Sequence, residues 1–290
     1  MNLIRRMPGG SVIGLMLVLL LALMFAGPAA AQDNEDNDIY LPLLLENGDV
    51  VLGNFLDSVN AHLYGFYASA GDTVSISMVQ QPEDSLLDPY LILISADGRV
   101  IDTDDDGGPV FYSALMDNVT LPEDGLYLVL ATDRLGLRFN YEDAFSEMDV
   151  SEIELTYELT IAGINTPDDV DALEIDAVPL SFGEVVEFEI NQTRAVGFAV
   201  FEGLEGDVIS LTTLDQGDDL DTIVNLFEPE GLRLAINDDG EDLGLYSQIT
   251  DAELPEDGLY LVMVTVYGFQ DSYDPTLPWD QEGIVGLTLE

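Results

Sequence analysis

Apolar side chains recur along this chain in short runs separated by Gly, Asp and Pro. The first half carries "AHLYGFYAS" (61–69), "DTVSISMV" (72–79), "PYLILIS" (89–95), "GLYLVLAT" (125–132) and "ELTYELTIAG" (154–163). The second half carries "AVGFAVFE" (195–202), "DVISLTTL" (207–214), "TIVNLFE" (222–228) and "GLYLVMVTV" (258–266). Some runs alternate apolar with polar and others are apolar throughout, which is the period of a strand and not of a helix. Strands spaced by roughly ten residues, with no helical stretch among them, predict an all-β chain of sandwich or barrel type.

The pattern occurs twice. "LPEDGLYLV" stands at 121–129 and again at 254–262. Outward from it, "SAGDTVSISM" (69–78) corresponds to "LEGDVISLTT" (204–213), and "LDPYLILISADG" (87–98) to "LDTIVNLFEPEG" (220–231). "DDDGG" (104–108) and "NDDGE" (237–241) follow at the same spacing. Order and spacing are kept, so the chain is read as two tandem β-sandwich domains, 39–163 and 177–290, joined by an acidic linker at 164–176. Within the repeated phrase Pro and Gly suit a turn, Gly by accepting a positive φ, and the Tyr is expected to pack its ring while its hydroxyl finds a hydrogen bond. The phrase is therefore assigned to the scaffold.

Residues 1–31 have the form of a signal peptide: Arg5 and Arg6, an apolar run from Val12 to Ala26, and small residues up to Ala31. An acidic leader, 32–38, follows. Export places the protein outside the cell, at its surface or in a periplasm, and the run is too short for a membrane span. There is no cysteine, so packing or a bound metal has to hold an exported chain together without disulfides.

Charge narrows the partners. The chain has 57 Asp and Glu against seven basic residues, all of them Arg, for a net charge of −50. Such a surface repels nucleic acid and anionic lipid, which leaves cations, an extracellular protein or a polysaccharide as counterparts.

Taken in order, Gly71-Asp72, Leu87–Gly98, Asp104–Gly107 and Leu121–Val129, then Gly206-Asp207, Leu220–Gly231, Asn237–Gly240 and Leu254–Val262, resemble the bacterial pre-peptidase C-terminal domain family. The resemblance covers most of both halves. It implies jelly-roll β-sandwiches that accompany secreted enzymes as non-catalytic modules, with calcium-holding collagen-binding domains among their relatives. No protease accompanies the modules here.

Two groups of residues are candidates for chemistry. Asp88 with Asp104, Asp105 and Asp106, and Asp219 and Asp221 with Asn237, Asp238 and Asp239, would gather oxygen donors at one end of each sandwich. Without His or Cys such donors suit calcium rather than zinc or copper. Asp102–Gly107 opens like an EF-hand loop, but Ser113 stands where that loop needs Glu, so an EF-hand is rejected. The second group is aromatic: Tyr267, Phe269, Tyr273 and Trp279 in the second half, with Phe139, Tyr141 and Phe145 in the first. Exposed rings beside carboxylates suit stacking on sugars or contact with a protein.

Catalysis has little material. His62 is the only histidine and lies in a strand-like run, and there is no Cys or Lys. The expectation is a secreted, non-enzymatic, calcium-binding module pair for binding or adhesion. The alternatives are a carbohydrate-binding protein that uses the aromatic loops, and a secreted hydrolase built on paired carboxylates.

Overall fold

The computed structural model describes residues 5–7, 43–55, 60–83, 85, 87–134, 155–167, 174–274, 276, 279 and 281–290. The proposed cleavage site at Ala31, the leader 32–38, the middle of the linker, and Phe139, Tyr141 and Phe145 lie outside them. Strands account for nearly all the regular structure: β1 (Arg5–Met7), β2 (Val50–Phe55), β3 (Ala61–Ala68), β4 (Thr73–Gln81), β5 (Pro89–Ser95), β6 (Val100–Asp104), β7 (Ala114–Thr120), β8 (Gly125–Asp133) and β9 (Leu155–Ala162). After these come β10 (Ala177–Pro179), β11 (Val185–Ile190), β12 (Gly197–Gly203), β13 (Val208–Asp215), β14 (Thr222–Phe227), β15 (Arg233–Asn237), β16 (Gln248–Glu253), β17 (Gly258–Val266) and β18 (Gly283–Leu289). Among the described residues the one helical turn is a 3-10 segment, Phe269–Tyr273.

Four sheets form, in the orders β1-β2-β9-β4-β7, β3-β8-β5-β6, β10-β12-β17-β14-β15 and β11-β18-β13-β16. If the eight strands β2–β9 are counted one to eight, the first half reads 1-8-3-6 over 2-7-4-5. Strands β11–β18 read the same way. That is the jelly-roll order, an eight-stranded pair of Greek keys. β1 adds a three-residue antiparallel edge to β2.

Burial explains the two kinds of apolar run. β4 and β9 alternate buried and half-buried positions, as sheets with one wet face do. β5 is buried at all seven positions, and β8 and β14 are nearly or wholly so. These inner strands are covered on both faces. Leu91, Leu93, Tyr127 and Val129 point into the first sandwich. Tyr90, Ile92, Ile94, Leu126, Leu128 and Leu130 point the other way and share one core with Phe198, Val224, Leu226, Val262 and Val264 of the second. The sandwiches are thus stacked as four layers, inner sheet on inner sheet.

The docking is reciprocal. The β5–β6 turn reaches the second half, where Val196 N donates to Gly98 O at 3.0 Å. The equivalent β14–β15 turn reaches the first, where Leu63 N donates to Gly231 O at 2.7 Å. Arg233, 1% exposed, crosses the same seam and donates to the amide oxygens of Asn60 and Asn225. Its counterpart in the first half is Val100, the position that faces Ile94 as Arg233 faces Phe227.

The repeated phrase is fully used by the scaffold. Leu121 N donates to Asp72 O and Gly71 N to Leu121 O, both at 2.9 Å, and Leu254 pairs with Asp207 and Gly206 in the same way. Asp124 Oδ1 accepts from Ala70 N, and Asp257 Oδ1 from Glu205 N, each at 2.8 Å. Tyr127 donates its hydroxyl to Glu123 O at 2.9 Å and stacks on Phe66; Tyr260 donates to Glu256 O at 2.7 Å and stacks on Phe201. One expectation is corrected. Gly125 and Gly258 do not take a positive φ; positive-φ glycines stand at other turns, such as Gly71 and Gly206. At Gly258 the small side chain instead makes room for Pro229, whose Cγ would lie 2.4 Å from an added Cβ.

Candidate functional site

Tight turns close one end of each sandwich and longer loops the other. The loop end holds the sequence-selected acids. Asp104 Oδ1 accepts from Gly107 N at 2.8 Å and from Leu115 N at 2.6 Å. Asn237 Oδ1 accepts from Gln248 N at 2.8 Å, the equivalent bond. These two side chains tie the β6–β7 and β15–β16 connections. Asp105 pairs with Arg134. Asp88 is half-buried, and its carboxyl is pushed up by burial and by the charges of Asp106 and Asp105, against the pull of Arg134. Asp238 is buried, Asp219 and Asp239 are exposed, and Asp221 is half-buried. Among the described residues no three His, Cys, Asp or Glu side chains come close enough to hold a metal ion. The acids of each half share an end, where Asp104, Asn237 and Asp105 already have partners.

The second-half aromatic residues divide. Tyr267 and Tyr273 are 47% and 39% exposed. Phe269 is buried, and Trp279 packs against the shared core with its indole Nε1 turned inward. Of these four candidates the two tyrosines are the exposed rings.

The sequence reading missed three features. Tyr90, Arg134, Ile223, Tyr267, Gln270 and Asp271 line a cleft of 280 Å³ between the two sandwiches. Its walls are equivalent positions of the repeat: Arg134 N donates to Asp88 O as Tyr267 N donates to Asp221 O, and Tyr90 precedes Leu91 as Ile223 precedes Val224. The Arg134 guanidinium lies 5.6 Å from the centroid of the Tyr90 ring. The second feature is a ring pair, Phe111 and Tyr112, 75% and 43% exposed with centroids 3.9 Å apart. Tyr112 has a φ of 65°, and the loop is fastened by Gly108 N to Ser113 O, Ser113 N to Val110 O, and the Gln80 amide to Phe111 O. Two adjacent rings inside "GGPVFYS" were the available signal, since neighbours in a tight loop cannot both turn inward. The third is Arg233, a basic residue within an apolar strand.

His62 is 1% exposed and hydrogen-bonded through Nδ1 to the Tyr157 hydroxyl at 2.5 Å. Burial, and then the charge of Arg233, push its pKa down to about 3. It is a neutral core residue, out of reach of substrate.

No family model matches the chain, and no curated protein does. Solved structures give likenesses at low identity. The pre-peptidase C-terminal domain of a collagenase from Bacillus anthracis is 12% identical over 43% of this chain and 99% of its own, with a TM-score of 0.31. A protein of Eubacterium rectale described as secreted is 14% identical over 83% of this chain and 72% of its own, at 0.24. Tripeptidyl peptidase 2 is 8% identical over 86% of this chain but only 24% of its own length, at 0.22. Among the described residues no helix is long and apolar enough to cross a membrane.

Proposed function

We propose that this chain is an exported, non-enzymatic binding or adhesion protein that meets an extracellular partner through the loops at the ends of its sandwiches. The observation that carries this reading is the Phe111–Tyr112 pair, held outward on a fastened loop with one residue in a left-handed conformation. Such strain persists where the surrounding structure fixes it, and it gathers at contact sites. The burial of the one histidine and the absence of Cys and Lys speak against nucleophilic chemistry. The resemblance to collagen-binding relatives makes collagen a first partner to try, with insoluble polysaccharides beside it. The test is surface plasmon resonance on both. Phe111→Ala with Tyr112→Ala is expected to weaken binding tenfold or more without moving the unfolding midpoint; unchanged binding would rule the loop out.

Calcium binding is the second reading, supported by the mutual repulsion of Asp88, Asp105 and Asp106, which a bound cation would relieve. The ion would have to draw Asp105 away from Arg134. Thermal unfolding across a calcium titration at fixed ionic strength, with magnesium as control, tests it. A calcium-specific rise that shrinks in Asp88→Ala and Asp221→Ala supports the sites, and equal response to both ions removes them.

A further inference from the structure

We infer that Asn191 is the acceptor of an N-linked glycan. The inference goes beyond the binding function and rests, of that reading, on export alone.

The chain contains two Asn-x-Thr triplets with a residue other than proline in the middle, Asn118-Val119-Thr120 and Asn191-Gln192-Thr193. Such a triplet is the acceptor signal for N-glycosylation, which needs an Asn amide at the surface of an exported protein. The structure separates the two. Asn118 sits in β7 with a φ of 57°, and its backbone N donates to Ser75 Oγ at 3.2 Å. The same place in the second half is taken by Asp251, with a φ of 52° and its N donating to Ser210 Oγ at 3.3 Å. That position asks for a residue at ease in the left-handed conformation, and Asp serves as well as Asn. The strand explains the Asn118 triplet.

Asn191 stands at the tip of the β11–β12 hairpin. Its backbone exchanges hydrogen bonds with Arg194, at 3.1 and 3.0 Å, around Gln192 and the exposed Thr193. The side chain folds over this turn. Oδ1 accepts from Thr193 N at 2.9 Å, from Thr193 Oγ1 at 2.7 Å and from Arg194 N at 3.0 Å. All three bonds go to the oxygen, and among the described residues Nδ2 donates none.

A turn of this kind does not need an amide. Asp274 Oδ1 accepts from Thr276 N at 2.8 Å and from Thr276 Oγ1 at 2.7 Å, the same pair of bonds made by a carboxylate. The two turns are neighbours, since Gln192 Nε2 donates to Asp274 O at 3.3 Å. In a chain with 57 Asp and Glu the carboxylate is the common choice, and the amide at 191 is the departure. What it adds is Nδ2, the atom that glycosyl transfer uses. Thr193 supplies the hydroxyl of the triplet, and Glu189, exposed two positions before Asn191, is a carboxylate that a transferase can read with them.

The transfer forms a bond between Nδ2 and the anomeric carbon of a sugar. It breaks that carbon's bond to oxygen in a lipid-linked glycosyl pyrophosphate, which leaves as the lipid pyrophosphate, and one amide proton passes to a base of the transferase. Strand β11 is the edge of its sheet. A bulky, hydrated glycan at its end would hinder pairing of that edge with another chain.

The experiment is mass spectrometry of the protein secreted by the organism that makes it, intact and as peptides spanning residues 189–194, for the wild type and two variants expressed there. The expected result is an added mass of hexose or N-acetylhexosamine residues on Asn191, absent in Asn191→Asp and reduced at least tenfold in Thr193→Val. Asn191→Asp keeps Oδ1, so its unfolding midpoint should match that of the enzymatically deglycosylated wild type, which separates loss of the acceptor from loss of the fold. A bare Asn191 in the secreted chain, a glycan on Asn118 alone, undiminished occupancy in Thr193→Val, or a glycan that persists in Asn191→Asp because it sits on the Thr193 hydroxyl overturns the inference. The intact mass also reports whether residues 1–31 have been removed. A processed chain with bare Asn191 overturns glycosylation and leaves export standing, whereas an unprocessed chain in the cytoplasm with bare Asn191 overturns both.

Discussion

Gly53 and Tyr157 face each other across the β2–β9 pair, and a Cβ added at Gly53 would fall 2.2 Å from Cζ of the tyrosine ring. The missing side chain is what lets the ring lie over β2 and its hydroxyl reach His62 and Tyr64, at 2.5 and 2.6 Å. The second half solves the same packing problem in reverse. Phe188 stands at the position of Gly53, opposite Val285, and Gly197 stands at that of His62, where an added Cβ would lie 2.6 Å from the Phe188 ring. One large ring fills each site, supplied by a different strand. Gly53→Ala is therefore expected to destabilise the fold by about 1–3 kcal/mol through overpacking. Gly125→Ala, where the nearest atom is 3.9 Å away, serves as control in the same urea titration. Equal effects would show that the Tyr157 ring yields freely.

The tyrosine of the repeated phrase hydrogen-bonds to the turn four residues before it, in both copies. Replacing Tyr127 by Phe removes one hydroxyl and leaves Glu123 O without that bond, with the stacked Phe66 untouched. The expected loss is about 1 kcal/mol, and Tyr260→Phe should match it within a few tenths. A large difference between the copies in chemical denaturation would mean that the two turns are not equivalent in energy.

Stacked inner sheets make the halves interdependent. Gly98 has a φ of +86° and an added Cβ would lie 1.9 Å from Val196 O across the seam, whereas Gly71 has nearly the same φ, +85°, and open space around it. Gly71→Ala should cost about 1–2 kcal/mol from the left-handed conformation alone. Gly98→Ala carries that cost and the clash as well, so its unfolding midpoint should drop clearly further. Residues 43–167 expressed alone would expose Leu63, Ile92, Ile94, Leu128 and Leu130 to water, and they should aggregate or bind a hydrophobic dye. A soluble, dye-silent fragment would refute the shared core.

Much of this architecture was readable in the residues, and the reason is periodicity. Alternation in "TVSISMV" and continuous apolarity in "PYLILIS" are different signals, and they separate an outer strand with one wet face from an inner strand with none. The repeat supplied the expectation of two similar halves. The cleft was not readable because Arg134 and Tyr267 are brought together only by the docking of two sandwiches, a relationship without a local signature. Nor could the sequence show that the oxygens of Asp104 and Asn237 close turns on backbone amides, because those bonds depend on where the chain returns.

Stability should depend on pH through two groups that act in opposite senses. His62 is held neutral, with a folded pKa of about 3 against 6.5 for an unperturbed histidine. Below pH 6.5 the unfolded chain takes up a proton that the folded chain refuses, so this group removes about 1.4 kcal/mol of stability per pH unit until about pH 3. Glu228 is pushed up to about 7 by burial and by the charges of Glu256 and Glu230. Between pH 7 and 4.5 the folded chain holds a proton that the unfolded chain releases, so this group stabilises as pH falls and that contribution is lost as pH rises through 7. The two oppose each other between 4.5 and 6.5, and below 4.5 only the histidine continues. The measurement is the free energy of urea unfolding from pH 3.5 to 8 in the wild type and two variants, compared by difference so that the titration of the other carboxylates cancels. His62→Gln should flatten the acid limb below 4.5, and Glu228→Gln should remove the gain on acidification from 7. An acid limb of unchanged slope in His62→Gln would mean that the imidazole is protonated in the folded core.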